Sequence, residues 1–262
     1  TMKLIAVTLA LEQGKVSKEW TVQCNGTYIL GDRKFHCWNS LGHGDINMHK
    51  AILHSCNIYF YQLMQKISFQ DWKQMANKFG FGSATGIDLY GEEEGNIPGP
   101  IYMNEKYGKY GWALGNLLTF VIGQGDILAT PIQVAHMMNI IASRGNSRSP
   151  NLHLNQTSEK KILSLKSSTW DFLDDAIWNV VNHQNGTGKL ASIEGADIYG
   201  KTGTAQNPHG EDHSWFAGYI KINNEPVLSL AVLIEHGGKG SIEAAMISGK
   251  IFNYVHQNDL LQ

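Results

Sequence analysis

The sequence predicts an α+β protein, an antiparallel sheet covered by helices with a mostly helical lobe beside it. Three strand-like runs, over residues 198–204, 214–222 and 227–234, come in succession, and a helical pattern over 243–256 follows them. Successive strands pair antiparallel, the last two as a hairpin across Asn223-Asn224, and the closing helix covers the sheet. Upstream, residues 46–79 break into short helical segments opened by Asn47, Ser55 and Ser68. With 262 residues and 42% hydrophobic content the chain can bury a sizeable core. A net charge of −2 leaves no basic footprint, which argues against nucleic acid as a partner. No apolar run reaches the ~18 residues of a membrane span.

Residues 4–11 are almost wholly apolar and Gly14 is a natural stop, so this helix belongs in the middle of a domain. Lys3 in its first turn is out of place there, because burying an ammonium lowers its pKa. Residues 16–44 read as irregular and carry Cys24, Cys37 and His43. Asn47 caps a short helix through Leu53, Ser55-Cys56-Asn57 opens another over 58–66, and Ser68 caps a third over 69–78 that Gly80 ends. Residues 81–89 read as a turn with a short extended piece. Glu92-Glu93-Glu94-Gly95-Asn96 and Pro98-Gly99-Pro100 read as a solvated loop.

A short element over 116–122 precedes Gly123-Gln124-Gly125. Thr130-Pro131 then starts a helix to about residue 143, with Ile132, Ala135, Met138 and Ile141 inward. Thr169 is expected to cap a helix over 170–182 with Leu173, Ile177 and Val180 on one face.

The first of the three strands contains Lys201-Thr202-Gly203-Thr204. Alternation puts Lys201 and Gly203 on one face and Thr202 and Thr204 on the other. An ammonium beside hydroxyls suits a carboxylate, and free edge amides suit an oxyanion or an added peptide strand. Lys3 and a group one helical turn earlier would share a helix face, which suits proton transfer.

Lys3, then Ser55-Cys56-Asn57, then Lys201-Thr202-Gly203 resemble the S-x-x-K, S-x-N and K-[ST]-G signatures of the penicillin-recognising serine transpeptidases, in that order. The serine of the first signature would immediately precede Thr1. The resemblance extends along the chain. Phe35-His36-Cys37-Trp38, Gly42-His43-Gly44, Phe79-Gly80-Phe81-Gly82, Thr85-Gly86-Ile87-Asp88-Leu89, Ile122-Gly123-Gln124-Gly125 and Ala129-Thr130-Pro131-Ile132-Gln133 are similar to class B penicillin-binding proteins, in detail to the penicillin-binding protein 2 group of elongation transpeptidases.

That resemblance implies a penicillin-binding transpeptidase fold and a D,D-transpeptidase that cross-links peptidoglycan stem peptides through an acyl-enzyme and is a target of β-lactams. It implies that Lys3 deprotonates the serine, that Ser55 relays a proton to the leaving amine, and that Asn57 holds Lys3 and the acyl donor. It implies that Lys201, Thr202 and Thr204, with Gly203 leaving room, bind the terminal carboxylate, and that the Thr204 N–H forms part of the oxyanion hole. The partners implied are D-Ala-D-Ala stem peptides, β-lactams, a glycan polymerase and a rod-shape scaffold, at the periplasmic face of a bacterial inner membrane.

The whole of 1–262 then reads as one transpeptidase domain lacking its N-terminal part, with the lobe at about 46–79 and the sheet and closing helix at about 198–256. On that reading the helix over 4–11 is exposed on one side and the hairpin lacks strand neighbours. Thr1 lies buried in the groove, with Lys3 near Ser55 and Lys201.

Three thiols cannot all pair, so a Cys24–Cys37 disulfide leaves one free. Zinc is the rival: Cys24-x12-Cys37-x5-His43-x12-Cys56 offers the closed ligand set of a structural site. The resemblance favours zinc, since some penicillin-binding protein 2 members hold one from this loop and the S-x-N segment with Asp, His and Cys. His36, His49, His54 and His213 read as ordinary hydrogen-bonders. Other readings are a D,D-carboxypeptidase, a β-lactamase using the glutamates at 92–94, a catalytically dead penicillin sensor or scaffold, and an enzyme with Thr1 as N-terminal nucleophile.

Overall fold

A computed structural model describes residues 1–153, 158–258 and 260. Helix α1 (Lys3–Glu12) is followed by four short strands, β1 (Val22–Cys24), β2 (Thr27–Leu30), β3 (Arg33–His36) and β4 (Gly44–Ile46). Helices α2 (Met48–Leu53), α3 (Asn57–Met64) and α4 (Phe69–Lys78) come next, then α5 (Pro100–Tyr107), α6 (Leu114–Val121) and α7 (Pro131–Ala142). A small pair, β5 (Asn146–Arg148) and β6 (Lys160–Ile162), precedes α8 (Ser167–Asn182) and a 3-10 turn at Lys189–Ala191. The chain closes with β7 (Asp197–Ala205), β8 (His213–Ile222), β9 (Glu225–Ile234) and α9 (Glu243–Gln257).

α1 is buried from Lys3 to Ala10, enclosed by α2, α3, α4 and α8. The flank expected to be exposed is therefore covered, because a helix with no polar stripe needs neighbours on every side. Burying Leu4, Ile5, Val7 and Leu9 contributes on the order of 6–12 kcal/mol. Taking the Lys3 ammonium out of water costs several kcal/mol, so the apolar residues suffice to hold the lysine inside.

β7, β8 and β9 form one antiparallel sheet with β8 in the centre. The faces alternate as period two requires. Phe216 and Ile220 pack with Ile198 and with Ala244, Ala245 and Phe252 of α9. Ala217 and Tyr219 turn to the main core, where Tyr199 stacks on Tyr219 at 4.8 Å. α8 packs along β7 and α7 along β8 and β9. Among the described residues no strand pairs with the outer edges of β7 or β9.

Local expectations fail where segments are short or where a tertiary partner outbids a local one. Residues 16–44 are two small antiparallel pairs, β1 with β4 and β2 with β3, rather than irregular chain. β1, β3 and β4 bury only one or two residues each and β2 none, too few to register as alternation. The loop at 92–100 runs into α5, whose first residue is Pro100 behind Gly99; proline is pre-set for that position. Nor is Glu92 solvated: its carboxylate accepts from the Thr85 N–H (2.8 Å), the Thr85 hydroxyl (2.6 Å) and the Gly86 N–H (3.1 Å). Thr169 does not cap α8, which begins at Ser167; its hydroxyl donates to Glu12 on α1. The helix α7 is buried at Val134 and Met137 as well as Met138 and Ile141, while Ile132 and Ala135 are half-buried.

The β8–β9 hairpin turns through Asn223 (φ 52°) and Asn224 (φ 66°), both left-handed, which matches the twist of the flanking strands. Replacing Asn224 by Val is expected to cost about 1–2 kcal/mol, whereas Asn224→Gly should be neutral or mildly stabilising. Urea unfolding midpoints at unchanged slope measure both; equal effects would show that this turn is unconstrained.

Candidate active site

Lys3 is the centre of the site. Its Nζ donates to Ser55 O (2.7 Å), Ser55 Oγ (3.0 Å) and Asn57 Oδ1 (2.8 Å), above the ring of Phe60 at 5.4 Å from the centroid. These contacts cross more than fifty residues of sequence. Among the described residues no carboxylate pairs with Lys3 or Lys201. Burial, the dominant cause, lowers the Lys3 pKa to about 8, against the opposing pull of Cys56 and Cys37.

The end of α2 explains how Ser55 reaches the lysine. Leu53 is the last helical residue and His54 the C-cap; Ser55 follows with φ 53°, a left-handed conformation that glycine normally takes. Ser55 N donates to Ile52 O (3.2 Å) and Cys56 N to Ala51 O (3.0 Å). This crossed pair is a Schellman closure. A serine in the left-handed region costs about 1–2 kcal/mol relative to a right-handed one. The closure turns both the Ser55 carbonyl and hydroxyl toward α1. Asn57 opens α3 immediately after, its Nδ2 donating to His36 O (3.2 Å).

β7 forms the facing edge. Lys201 is fully buried and its Nζ donates to Thr202 O (3.0 Å). Burial first, then the charge of Lys3, hold its pKa well below the usual lysine range. The backbone nitrogen of Thr1 is buried beside Lys201 and Lys3, although the residue as a whole is half-buried. Lys3, Ser55, Asn57, Lys201 and Thr1 thus converge. Thr202 and Thr204 lie on the other face of the strand. Thr202 Oγ1 bonds Thr187 Oγ1 at 2.9 Å, and Thr204 Oγ1 accepts from Gly240 N at 3.1 Å. Because the Thr204 oxygen already accepts a bond, its own O–H is left to donate. Gly203 lies between the two threonines with Trp215 opposite.

Three participants escape the sequence reading. Thr187 links Thr202 to Leu53 O (3.4 Å) near the end of α2. Gln124 Nε2 donates to Thr204 O at 3.0 Å, and Gly240 comes from the β9–α9 loop. Gly123-Gln124-Gly125 flagged a tight turn, but no pattern says which strand that turn faces.

Beside the Ser55 turn the structure gathers Cys24, Cys37, His43 and Cys56, whose ligand atoms all lie within 4.8 Å of one another. His43 Nδ1 is 3.5 Å from both the Cys24 and Cys37 sulfurs, and all three thiols are free. Thiolates at ~2.3 Å from a tetrahedral zinc stand about 3.8 Å apart, so the set is close to closed around such an ion. Cys24 ends β1, Cys37 follows β3, His43 precedes β4 and Cys56 caps α3. Gly42 permits this convergence, since its Cβ would fall 2.1 Å from Cys24 O. A hydrogen bond from Cys56 pulls the Cys37 pKa down and pushes that of Cys56 up. Trp38 lies edge-on to His43 and donates to His54 O (2.9 Å), while His54 stacks on His43 at 5.7 Å. His43 Nε2 has no hydrogen-bond partner among the described residues.

The arrangement supports acid–base chemistry at a hydroxyl within reach of Lys3 and binding of an anion between two desolvated lysines. The model of the penicillin binding protein transpeptidase domain matches residues 1–255. The chain is 31% identical to the peptidoglycan D,D-transpeptidase MrdA of Haemophilus influenzae, over 97% of this chain and 43% of that protein. It is 32% identical to MrdA of Acinetobacter baumannii, over 97% and 41%. It therefore spans less than half the length of these relatives. Among solved structures, PBP2 of Helicobacter pylori in complex with MreC superposes with a TM-score of 0.89 at 28% identity, covering 99% of this chain and 49% of that one. PBP2 of Pseudomonas aeruginosa in complex with WCK 5153 gives 0.86 at 29%, covering 97% and 58%. Matched over nearly its whole length and carrying the lysine, S-x-N and K-T-G groups in one groove, the chain belongs to the penicillin binding protein transpeptidase domain family.

Proposed function

We propose that this chain is the catalytic part of a serine D,D-transpeptidase that cross-links peptidoglycan stem peptides. The observation that carries the reading is Lys3, a buried amine held by neutral oxygens with Ser55 Oγ at 3.0 Å. A serine immediately before Thr1 attacks the carbonyl of the penultimate D-Ala, and Lys3 takes its proton. The carbonyl π pair moves to oxygen, and the N–H of Thr204 and of that serine stabilise the oxyanion, worth about 3 kcal/mol per donor. When the C–N bond breaks, Ser55 passes a proton to the leaving amine of the terminal D-Ala. An acceptor amine then attacks the ester and releases the serine.

Asn57 holds Lys3 through Oδ1 and keeps one Nδ2 hydrogen for the donor peptide. Lys201, with the hydroxyls of Thr202 and Thr204, receives the terminal carboxylate, and Gly203 adds no side chain of its own there. An arriving carboxylate repays desolvation of the Lys201 ammonium, so binding and protonation reinforce each other. β-Lactams present the same carboxylate and a strained amide. The relatives' own names support this substrate class: the H. influenzae and A. baumannii proteins are peptidoglycan D,D-transpeptidases, and the P. aeruginosa PBP2 was solved with WCK 5153.

Cys24, Cys37, His43 and Cys56 would hold a structural zinc, which supplies a cross-link and no chemistry. It would pin the β1–β4 segment to the turn that presents Ser55 and Asn57. For the complete protein we assign a place at the periplasmic face of a bacterial inner membrane. A glycan polymerase and a rod-shape scaffold are its partners there. The reading draws on the H. pylori PBP2–MreC complex and on a solved peptidoglycan synthase complex joining polymerization to crosslinking. Among the described residues no helix is long and apolar enough to cross a membrane.

Labelled penicillin should leave a stable adduct on the residue before Thr1. Its rate of formation should climb with pH, reach half its maximum near 8 and level off above that, because Lys3 accepts a proton only when neutral and its pKa is about 8. Rapid turnover of the adduct would make the protein a β-lactamase instead, and a rate flat from pH 6 to 9 would falsify the assignment of Lys3 as base.

Ser55→Gly should separate catalysis from folding. Glycine suits the left-handed site, so stability should stay level or rise by up to about 1 kcal/mol. Acylation should fall at least about 100-fold, the lower range for a lost acid–base group. An unchanged rate sinks the relay.

Metal analysis should find one zinc per chain. Cys24→Ser or Cys56→Ser should weaken zinc binding by more than the roughly 10–100-fold cost of losing an outer-shell partner, and lower the melting temperature. Metal-free protein with a Cys24–Cys37 disulfide would remove the zinc assignment.

A further inference from the structure

The groove edge of β7 is not bare. Residues two apart on a strand turn their carbonyls the same way, and those of Thr202 and Thr204 both accept from side chains of the groove. Thr202 O accepts from Lys201 Nζ and Thr204 O from Gln124 Nε2, each at 3.0 Å. Among the described residues no strand pairs with this side of β7. A strand edge of this kind takes an extended peptide by main-chain hydrogen bonds. The Gln124 amide has the same donor chemistry as the N–H of such a peptide.

Gln124 is held where it can do this. Gly123 (φ 83°) and Gln124 close α6 with a second crossed pair, Gly123 N to Phe120 O (2.9 Å) and Gln124 N to Thr119 O (3.0 Å). On its other side, the Asp126 carboxylate accepts from Lys106 Nζ and Tyr107 Oη, both at 2.6 Å. Asp126 O accepts from Asn96 Nδ2 at 2.7 Å. The backbone is anchored before and after Gln124, which leaves its half-buried side chain as the part free to swing.

We propose that Gln124 is a displaceable cap, occupying the Thr204 carbonyl that an extended, amide-bearing ligand must take when it adds along β7. Together with the acyl-transfer reading, on which this rests, the cap sets specificity. A ligand with an N–H opposite Thr204 O exchanges one hydrogen bond for another and gains little there. A ligand without that donor leaves the cap in place and is unaffected.

The test uses the full-length protein, the variant Gln124→Met, which keeps length and loses the donor, and two penams. One bears a 6-acylamino group and the other has no 6-substituent. Removing the cap should speed acylation by the acylamino penam about two- to tenfold, the range of one net hydrogen bond. The unsubstituted penam should change by less than about twofold. An equal change in both, or slower acylation by the acylamino penam, overturns the cap. The second readout is the side-chain amide resonance of Gln124 in the unmutated protein, assigned by its loss in Gln124→Met. On adding excess acetylated tripeptide ending in D-Ala-D-Ala, it should move toward the position of a solvent-exposed glutamine, and a resonance that stays in place overturns the cap. If neither penam acylates the unmutated protein, the acyl-transfer reading fails and this resonance alone decides on the cap.

Discussion

The site depends on one interaction, the seating of the Lys3 ammonium among three oxygens of a single turn. Two come from Ser55 and one from Asn57, at 2.7 to 3.0 Å. None carries a full charge, so the lysine is desolvated without being neutralised, and its proton is correspondingly loose. A carboxylate in the same place would favour the charged form and raise the pKa. Selecting neutral oxygens for a buried amine is what makes the group usable near neutral pH. The apolar remainder of α1 supplies the burial that holds it there.

Two helix ends bracket the β7 edge. Just past their C-caps, α2 is closed by Ser55 and α6 by Gly123, each a left-handed residue with a crossed pair of backbone bonds. Helix C-termini carry partial negative charge and favour nearby cations, which suits a groove holding Lys3 and Lys201. The two closures also do opposite work. At Ser55 a side chain occupies a glycine-like conformation, and the strain is retained because that geometry aims the hydroxyl at Lys3. At Gly123 glycine takes the position without strain, and the following glutamine reaches over to Thr204.

The cysteine–histidine cluster belongs to the same device. Cys56 lies between Ser55 and Asn57, so whatever fixes its sulfur fixes the two groups that hold Lys3. β1, β3 and β4 bury one or two residues each and cannot hold such a loop rigid by packing alone. A cross-link among Cys24, Cys37, His43 and Cys56 would supply rigidity that the local hydrophobic content lacks. Trp38 and His54 add packing around His43.

Much of this was legible in the sequence, for identifiable reasons. Asn47 and Ser68 at helix starts, Pro131 at a first helical position, and Asn223-Asn224 between two strand patterns are local signals whose chemistry acts within a few residues. The composition of residues 4–11 demanded burial, and period-two alternation correctly divided Lys201 from Thr202 and Thr204. The motif residues Lys3, Ser55, Asn57 and Lys201 could be named from order and type. Tertiary structure alone decided what they touch. The bonds from Lys3 to Ser55, from Gln124 to Thr204, from Gly240 to Thr204 and from Thr187 to Thr202 join segments 15 to 80 residues apart. Thr169 looked like a helix cap, but α8 already starts at Ser167, and the Thr169 hydroxyl donates to the Glu12 carboxylate on α1, a charge-assisted bond. A local pattern reports what a residue can do, and the partner that the fold brings within 3 Å decides which of those things it does.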